Sequence, residues 1–273
     1  ARRLAAEGKL AAFLGLEGGY SIEGDIERLA LLRDRGVRYM TLTWWGPDEL
    51  ADGSGAPPRW HGLSDLGRKA VVEMERLGIT VDVSHASDET FSDVLEIASR
   101  PVIASHSGVR AVADHHRNLS DDMLRALAKN GGVVGIDFVA SFLDAGHGKA
   151  SDSLRAKLKP ELDRFARKYR KDPNRARKER WAFWGERARA ELPPVPVDAV
   201  IDHIEHAVKV AGIDHVGLGS DFDGFSIGPT GLTDCSKLPL ITEQLLARGF
   251  SEADAAKILG GNFLRVFGEA SQR

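Results

Sequence analysis

Two histidines in this sequence follow short apolar runs in the same way. The runs Ile79–Val83 and Pro101–Ala104 both continue into Ser-His, which places His85 and His106 just after predicted strands. The segment between them, Asp88–Ser99, is typical of a helix capped by its first residue. A strand, a helix and a strand of these lengths predict two parallel neighbours, whose carboxyl ends meet at one edge. Because neutral imidazole is the commonest metal ligand, the pair indicates a metal site, with two unrelated loop histidines as the alternative.

Carboxylates hold the corresponding position after other predicted strands. Glu17 follows Leu10–Leu16, Asp221 follows His215–Gly219, and Asp137 is a further candidate at the end of another strand. Two imidazoles and two carboxylates on one rim suit zinc. A carboxylate can also bridge two zinc ions ~3.5–4 Å apart, and the ions can hold a hydroxide between them. Since zinc lowers the pKa of bound water to about 7, such a site makes a nucleophile without serine or cysteine.

The predicted elements that position these residues alternate as strand and helix. Apolar runs indicate six strands: Leu10–Leu16, Val37–Thr43, Ile79–Val83, Pro101–Ala104, Gly131–Phe138 and His215–Gly219. Helical patterns follow them, including Ser64–Leu77 and Val197–Ala211, and the chain from Lys237 onward is helical. This alternation predicts an α/β fold of the TIM-like (β/α)8 barrel type, which needs eight strands. We therefore expect the first one or two βα units to lie upstream of this sequence.

Residues 141–194 break the alternation. The stretch 149–191 holds 15 Lys or Arg and 7 Asp or Glu, although the whole chain has a formal net charge of −3. We interpret 141–194 as a charged helical insertion within a single metal-dependent hydrolase barrel domain that covers residues 1–273. A solvated insertion is favoured over a lid on the site. It is also favoured over a nucleic-acid-binding patch, because aromatic residues do not alternate with the basic ones as they do in surfaces that bind nucleic acid.

The composition argues against several classes of protein and partner. A net charge of −3 predicts no attraction to nucleic acid or anionic membrane, and no apolar run approaches the ~20 residues of a membrane span. The single cysteine, Cys235, excludes an internal disulfide framework. Glu7 and Lys9 interrupt any signal-peptide pattern at the beginning, so we expect a cytoplasmic protein, with a removed upstream signal as the alternative. A homodimer is a possible assembly.

Other residues receive an expectation from their position alone. Arg117 lies on the loop that leaves the predicted rim after His106, where a guanidinium could clamp a substrate carboxylate; a surface arginine is the alternative. His203 and His206 are three residues apart on a predicted helix and are expected to face solvent. The loop that ends at Trp60 is rich in Gly, Pro and Asp, and we expect its tryptophans to order it.

Several motifs taken together resemble the membrane (renal) dipeptidase family of zinc peptidases, including its bacterial members. They run in order over nearly the whole chain outside residues 141–194: LGLEGGYSI, RYMTLTW, LSDLGRKAVVEMERLGITVDVSHAS, RPVIASHS, HHRNLSDDML, HVGLGSDFDG and NFLRVFG. The resemblance implies a (β/α)8 barrel that holds two zinc ions. It also implies hydrolysis of small dipeptides, both L,L and those with a C-terminal D-residue.

The resemblance assigns a role to each matching residue. Glu17 would bridge both metals, and His85 and His106 would hold one of them. Asp221 would lie beside the other metal and shuttle the proton, and Arg117 would bind the terminal carboxylate of the substrate.

The sequence departs from the family at two points. The family also uses a His-x-Asp pair on its first strand, and this sequence has no such pair. Trp44 stands where well-known members carry a histidine that helps polarise the scissile carbonyl. Since tryptophan cannot act as an imidazole, Trp44 would contact the substrate differently and alter preference or rate. A related amidohydrolase acting on a non-peptide amide or lactone, or a non-catalytic barrel, are the alternative functions.

Overall fold

Six short strands form one parallel sheet in the computed structural model. The structure describes residues 1–270, apart from the side chains of residues 2 and 5. The strands are β1 Leu14–Leu16, β2 Val37–Thr41, β3 Thr80–Asp82, β4 Ile103–Ser107, β5 Val133–Ile136 and β6 Val216–Leu218. Each strand pairs with the next one along the chain, in the order β1-β2-β3-β4-β5-β6. The predicted α/β class and parallel strand order are therefore confirmed, whereas closure into an eight-stranded barrel remains a prediction.

Helices occupy most of the remaining chain between 2 and 270. They are α1 Arg2–Ala6, α2 Arg28–Asp34, α3 Asp65–Leu77, α4 Asp88–Ile97, α5 Asp121–Lys129, α6 Ala140–Leu143, α7 Ala145–Lys157, α8 Lys159–Lys168, α9 Pro173–Glu191, α10 Asp198–Ala211, α11 Pro239–Ala247, α12 Glu252–Ala256 and α13 Asn262–Ala270. Helices α2, α3, α4, α5 and α10 contact one another in that order, which makes a layer over the sheet. No helix in the described part of the chain combines the length and apolar character needed to cross a bilayer.

Serine caps begin three of the helices that follow strands. Ser64, Ser87 and Ser120 each lie in extended backbone and accept a hydrogen bond from an amide of the first helical turn. Such a cap stabilises a helix by ~1 kcal/mol because it satisfies a donor that has no partner inside the helix. The predicted cap of α4, Asp88, is wrong by one residue: Asp88 is the first helical residue and Ser87 caps it.

The apolar core lies between the sheet and this helical layer. Met40 and Met74, from β2 and α3, are fully buried, as are Phe91 and Leu124 from α4 and α5. Burying a side chain of this size stabilises the fold by roughly 1.5–3 kcal/mol, so the layer holds the strands firmly in register.

Each of the six predicted strands differs from the observed one at one or both ends, and β1 and β4 also differ in burial or in the placement of a candidate ligand. The prediction of a buried strand over Leu10–Leu16 is wrong in length and burial, because β1 has three residues, Leu10 is 99% exposed and Leu14 is also exposed. The reason is that β1 is an edge of the described sheet and pairs with β2 alone. Strand β4 begins and ends later than predicted, so His106 lies within the strand rather than after it.

The charged segment folds as helices α7, α8 and α9. Its small apolar cluster consists of Leu154, Leu158, Leu162, Trp184 and Ala188. Most of its charged side chains are exposed, as the charge pattern predicts. This segment packs over one end of the sheet, where it borders the site described next.

Candidate metal centre

The strand ends bring three predicted ligands to one point. Glu17 directly follows β1, His106 lies near the end of β4, and His85 comes three residues after β3. His85 Nε2 lies 2.9 Å from Glu17 Oε1 and 3.0 Å from His106 Nε2, and the distance from His106 Nε2 to Glu17 Oε1 is 3.3 Å. The donor atoms of these three side chains all lie within 4.8 Å of one another. Among the described residues, they form a group that could hold a metal ion.

The backbone is strained where it delivers some of these side chains. His85, Asp221 and Asp223 have φ values of +69°, +57° and +72°, in the left-handed region that favours glycine. Residues held there cost roughly 1–3 kcal/mol each and persist where the surrounding structure imposes them. The strained turns direct side chains away from the strand ladder, which is how His85 reaches the cluster from beyond β3.

Two glycines make room around Asp221. A Cβ on Gly219 would lie 2.1 Å from the carbonyl oxygen of Ser105, and one on Gly224 would lie 2.3 Å from Asp221 Oδ1. The first contact is with backbone, so glycine is required at 219 for the loop after β6 to lie close to β4, whereas the second would be relieved only by moving the Asp221 carboxylate. Asp221 consequently lines the same inner cavity as Glu17 and His106, a space of about 400 Å³.

A network of hydrogen bonds orients His106. Asp82 is fully buried, and its Oδ1 accepts from the amides of Ser84 and Ser105 at 2.9 and 3.0 Å. Ser84 Oγ accepts from the amide of His106 at 3.0 Å, and Ser105 Oγ lies 2.8 Å from His106 Nδ1. When Nδ1 donates to Ser105, the Nε2 lone pair is left free on the side of Glu17, which is the arrangement a metal-binding histidine needs.

The electrostatics of the cluster favour a bound cation. Hydrogen bonds from His106 and His85 hold the pKa of Glu17 far below its usual range. Burial lowers the pKa of His85 to about 4. Burial opposes a charge on His106 most strongly, but the hydrogen bond with Glu17 and the charges of Asp82 and Asp137 together outweigh it, and the pKa of His106 is raised. The Nε2 atoms of His85 and His106 face each other, so at most one proton lies between them.

Further carboxylates surround the cluster and could balance the charge of a bound cation. Asp82 and Asp137 are buried, and one oxygen of each has no hydrogen-bond partner among the described residues. Burial raises the pKa of Asp137 to about 7, and burial also raises the pKa of Asp221. One guanidinium, that of Arg117, faces these groups, and burial lowers its pKa even though their fields support its charge. Two imidazoles, several carboxylates and partnerless buried oxygens together fit a divalent metal of the zinc type.

Arg117 is buried at the rim rather than exposed. It is 3% exposed, and its Nη2 donates to the carbonyl oxygen of His106 at 3.2 Å. Its guanidinium lies 5.6 Å from the ring centre of Phe142, and its Nε has no hydrogen-bond partner among the described residues. The surface-arginine alternative is therefore wrong, and most of its donors remain available for a ligand.

A second space, which we call the rim cavity, lies on the outer side of the cluster. Its wall includes His85, Arg117 and Asp221 together with Trp45, whose ring centre is 5.7 Å from that of His85. Trp44 packs against Trp45 at 6.3 Å and lines the neighbouring aromatic cleft with Tyr20 and Asp48. The sequence argument selected Trp44 and overlooked Trp45, although the two are adjacent and no single-sequence signal separates them.

Some histidines lie elsewhere than expected. The prediction that His203 faces solvent is wrong: it is fully buried, and its Nδ1 accepts from the amide of Val109 at 2.9 Å. His206 lies 2.8 Å from Asp121 and is partly buried. The face of α10 that carries these residues packs against α5 and α6, so helix rotation, which spacing alone does not reveal, decides their environment.

Comparisons with known proteins identify the family to which the chain belongs. The sequence model of the membrane dipeptidase family, peptidase family M19, matches residues 1–273. Dipeptidase aclJ from Aspergillus oryzae is 36% identical over 264 residues, which are 96% of this chain and 52% of that protein. The chain thus spans about half the length of this curated relative.

Two solved structures are similar along 98% of the chain. The probable dipeptidase PvdM from Pseudomonas aeruginosa superposes with a TM-score of 0.82 at 32% identity, and 71% of it is covered. A metallopeptidase from Rhodobacter sphaeroides, liganded with a phosphinate mimic of the dipeptide L-Ala-D-Ala, gives a TM-score of 0.77 at 27% identity with 66% covered. With the family match over its whole length, the chain belongs to the membrane dipeptidase family.

Proposed function

We propose that this protein is a zinc-dependent peptidase that hydrolyses dipeptides at the cluster of Glu17, His85 and His106. The observation that carries the proposal is the convergence of these three donor groups on one point, with Asp221 and Arg117 lining the adjoining spaces. The names of the similar proteins support a dipeptide as the substrate, and the ligand in the Rhodobacter sphaeroides structure mimics one.

We propose two zinc ions, because a single Glu17 carboxylate has a second oxygen with which to bridge them. His85 and His106 would hold one ion through the nitrogens that face Glu17. Zinc bound there would lower the pKa of water and polarise the peptide carbonyl. The nearby carboxylates could balance the charge of more than one cation.

Asp221 is proposed to handle the proton. It lines both the inner cavity and the rim cavity, so its carboxylate can reach a group that lies between them. A carboxylate whose pKa is raised by burial can accept a proton from the attacking water and return it to the leaving amine. The new C–O bond would form first, and the C–N bond would break once the nitrogen has received that proton, so that the amine leaves neutral.

Arg117 is proposed to hold the free C-terminal carboxylate of the dipeptide. Two parallel N–H donors of a guanidinium match the two oxygens of a carboxylate, which fixes orientation as well as charge. Trp45 borders the same cavity, and Trp44 behind it is proposed to contact the substrate from the aromatic cleft. The C-terminal carboxylate, and not the chirality of the side chain, would then orient the substrate. Such an orientation is consistent with cleavage of both L,L- and L,D-dipeptides.

The proposal is tested by measuring zinc content and substrate range on the same preparation. Zinc per chain, measured by mass spectrometry, should approach two. The protein should cleave L,L- and L,D-alanyl dipeptides far faster than their C-terminal amides, simple non-peptide amides or lactones. Faster cleavage of a lactone or non-peptide amide, or zinc binding without any hydrolysis, would refute the dipeptidase assignment.

A further inference from the structure

A separate concave surface lies within the helical segment α7–α9. We call it the arginine basin, and it has a volume of about 480 Å³. Four arginines line it together with three aromatic residues: Arg155, Arg170, Arg177, Arg180, Tyr169, Trp181 and Trp184. A volume of this order is typical of pockets for small molecules.

The arginines of the basin are only partly screened by neighbouring acids, because Asp152 acts on Arg155 and Asp163 on Arg180 from beyond ion-pair distance. Within the described residues none of the four forms an ion pair, whereas Lys157 and Arg187 of the same segment both pair with Glu191. Burial lowers the pKa of Arg155; the charge of Asp152 opposes that shift, and the charge of Arg180 adds to it. The basin is therefore a concentration of like charge that an anion would relieve.

The aromatic residues hold the basin in shape. The guanidinium of Arg155 lies 3.9 Å from the ring centre of Trp184, and Trp184 itself is buried in the small core of the segment. Trp181 is 48% exposed, which leaves an apolar surface beside the charges. Because Arg155 is stacked rather than free, part of the entropy cost of ordering it for a ligand has already been met.

The basin shares a wall with the rim cavity. Arg155, Trp181 and Trp184 line both spaces, and the rim cavity also contains His85 and Arg117. The basin therefore lies directly beside the space that borders the proposed catalytic cluster. This shared wall favours a substrate over a separate macromolecular anion as the occupant.

We propose that the basin binds a negatively charged extension of the substrate, so that the preferred dipeptides carry a long side chain with an acidic end. The inference rests on the proposed dipeptidase function, and it adds a substrate class to it. The arginines are largely exposed, so each contact contributes less than a buried one would. Two or more of them acting together should give a ~5- to 20-fold preference in kcat/KM for the acidic substrate.

The test uses two dipeptides that differ by one charge. Nε-succinyl-lysyl-alanine ends in a carboxylate, and Nε-succinamoyl-lysyl-alanine of the same length ends in a neutral amide. The ratio of their kcat/KM values should favour the acid ~5- to 20-fold in the parent and fall towards one in the double variant Arg177→Gln, Arg180→Gln. The control Arg164→Gln, Arg167→Gln removes two charges from α8 outside the basin and should keep the parental ratio. Raising the salt concentration should reduce the preference in the parent.

A binding measurement separates this inference from the proposed function. Free Nε-succinyl-lysine, which has no peptide bond, should quench tryptophan fluorescence of the parent more strongly than Nε-succinamoyl-lysine, and Arg177→Gln, Arg180→Gln should abolish the difference. Selective quenching with no hydrolysis of any dipeptide would support the basin and refute the dipeptidase function. If both dipeptides are cleaved and the ratio of their kcat/KM values is the same in the parent and the double variant, the proposal for the basin is wrong. Tight binding of heparin without preference for the succinyl probe would also contradict it.

Discussion

Replacing Arg117 gives the sharpest test of how the substrate is oriented. Its guanidinium is buried, donates one hydrogen bond to the carbonyl oxygen of His106 at 3.2 Å, and forms no ion pair with a described residue. Arg117 also lines the rim cavity, so a ligand there would lie beside its guanidinium. Arg117→Met removes all donors of the guanidinium with little change in length, and Arg117→Lys keeps the charge but loses the paired donors.

The expected loss follows from the desolvated setting of Arg117. A hydrogen bond to a charged group contributes about 1.5–3 kcal/mol, which corresponds to roughly one to two powers of ten in kcat/KM. We expect Arg117→Met to lose this factor on a dipeptide and to change little on the C-terminal amide of the same dipeptide. Arg117→Lys should fall between the parent and Arg117→Met.

The assay is kcat/KM on the acid and amide pair, with zinc content and thermal unfolding measured on each variant. Arg110→Met is the matched control, because Arg110 lies on the same loop and pairs with Asp88 on the surface at 2.7 Å. Its acid-to-amide ratio should remain parental. If the parent cleaves acid and amide equally well, Arg117 does not bind a carboxylate and the dipeptide assignment loses its basis.

The other predictions concern the cluster and the core. His85→Ala or His106→Ala should each lower the zinc content and reduce hydrolysis by orders of magnitude, whereas His206→Ala, on α10, should not; activity within a few-fold of the parent would remove the metal role. Asp221→Asn should keep zinc yet lose ~10²–10⁴-fold in kcat, and an unchanged pH–rate profile would reassign the proton. Burial lowers the pKa of His203 to about 4, below the ~6.5 of an unfolded chain, so the unfolded state binds more protons between these values. Stability should thus fall by up to ~3 kcal/mol as pH drops from about 6.5 to 4, and His203→Asn should flatten that part of a urea-unfolding profile.

The strand-end positions were predictable because they depend on short-range rules. An apolar run followed by Ser-His or by a carboxylate places a side chain at the carboxyl end of a strand, and parallel order brings those ends together. Glu17, His85 and His106 follow from that logic alone. Although β4 ends later than predicted, the prediction for His106 still holds, because His106 lies at the carboxyl edge of the sheet.

What could not be predicted depends on tertiary contacts. The loop from 44 to 60 is ordered largely by the buried Asp52, whose carboxylate accepts from the amides of Arg59, Trp60 and Gly62, and not by its tryptophans alone. A buried aspartate in a loop carries no signal of its own in a single sequence. The same holds for the burial of His203, which depends on the rotation of α10 against its neighbours.

The left-handed backbone at His85, Asp221 and Asp223 has a consequence for the evolution of this protein under selection. Glycine adopts such a conformation freely, so replacing any of the three with glycine should relieve ~1–3 kcal/mol of strain, which raises thermal stability wherever the lost side-chain contacts and the added backbone entropy cost amount to less. A library screened for heat resistance alone should therefore accumulate glycine at these positions and lose its activity in the process. In the loop that carries His85 and the loop that carries Asp221 and Asp223, higher stability therefore comes at the expense of activity. Screens for more thermostable variants need to leave both loops unmutated.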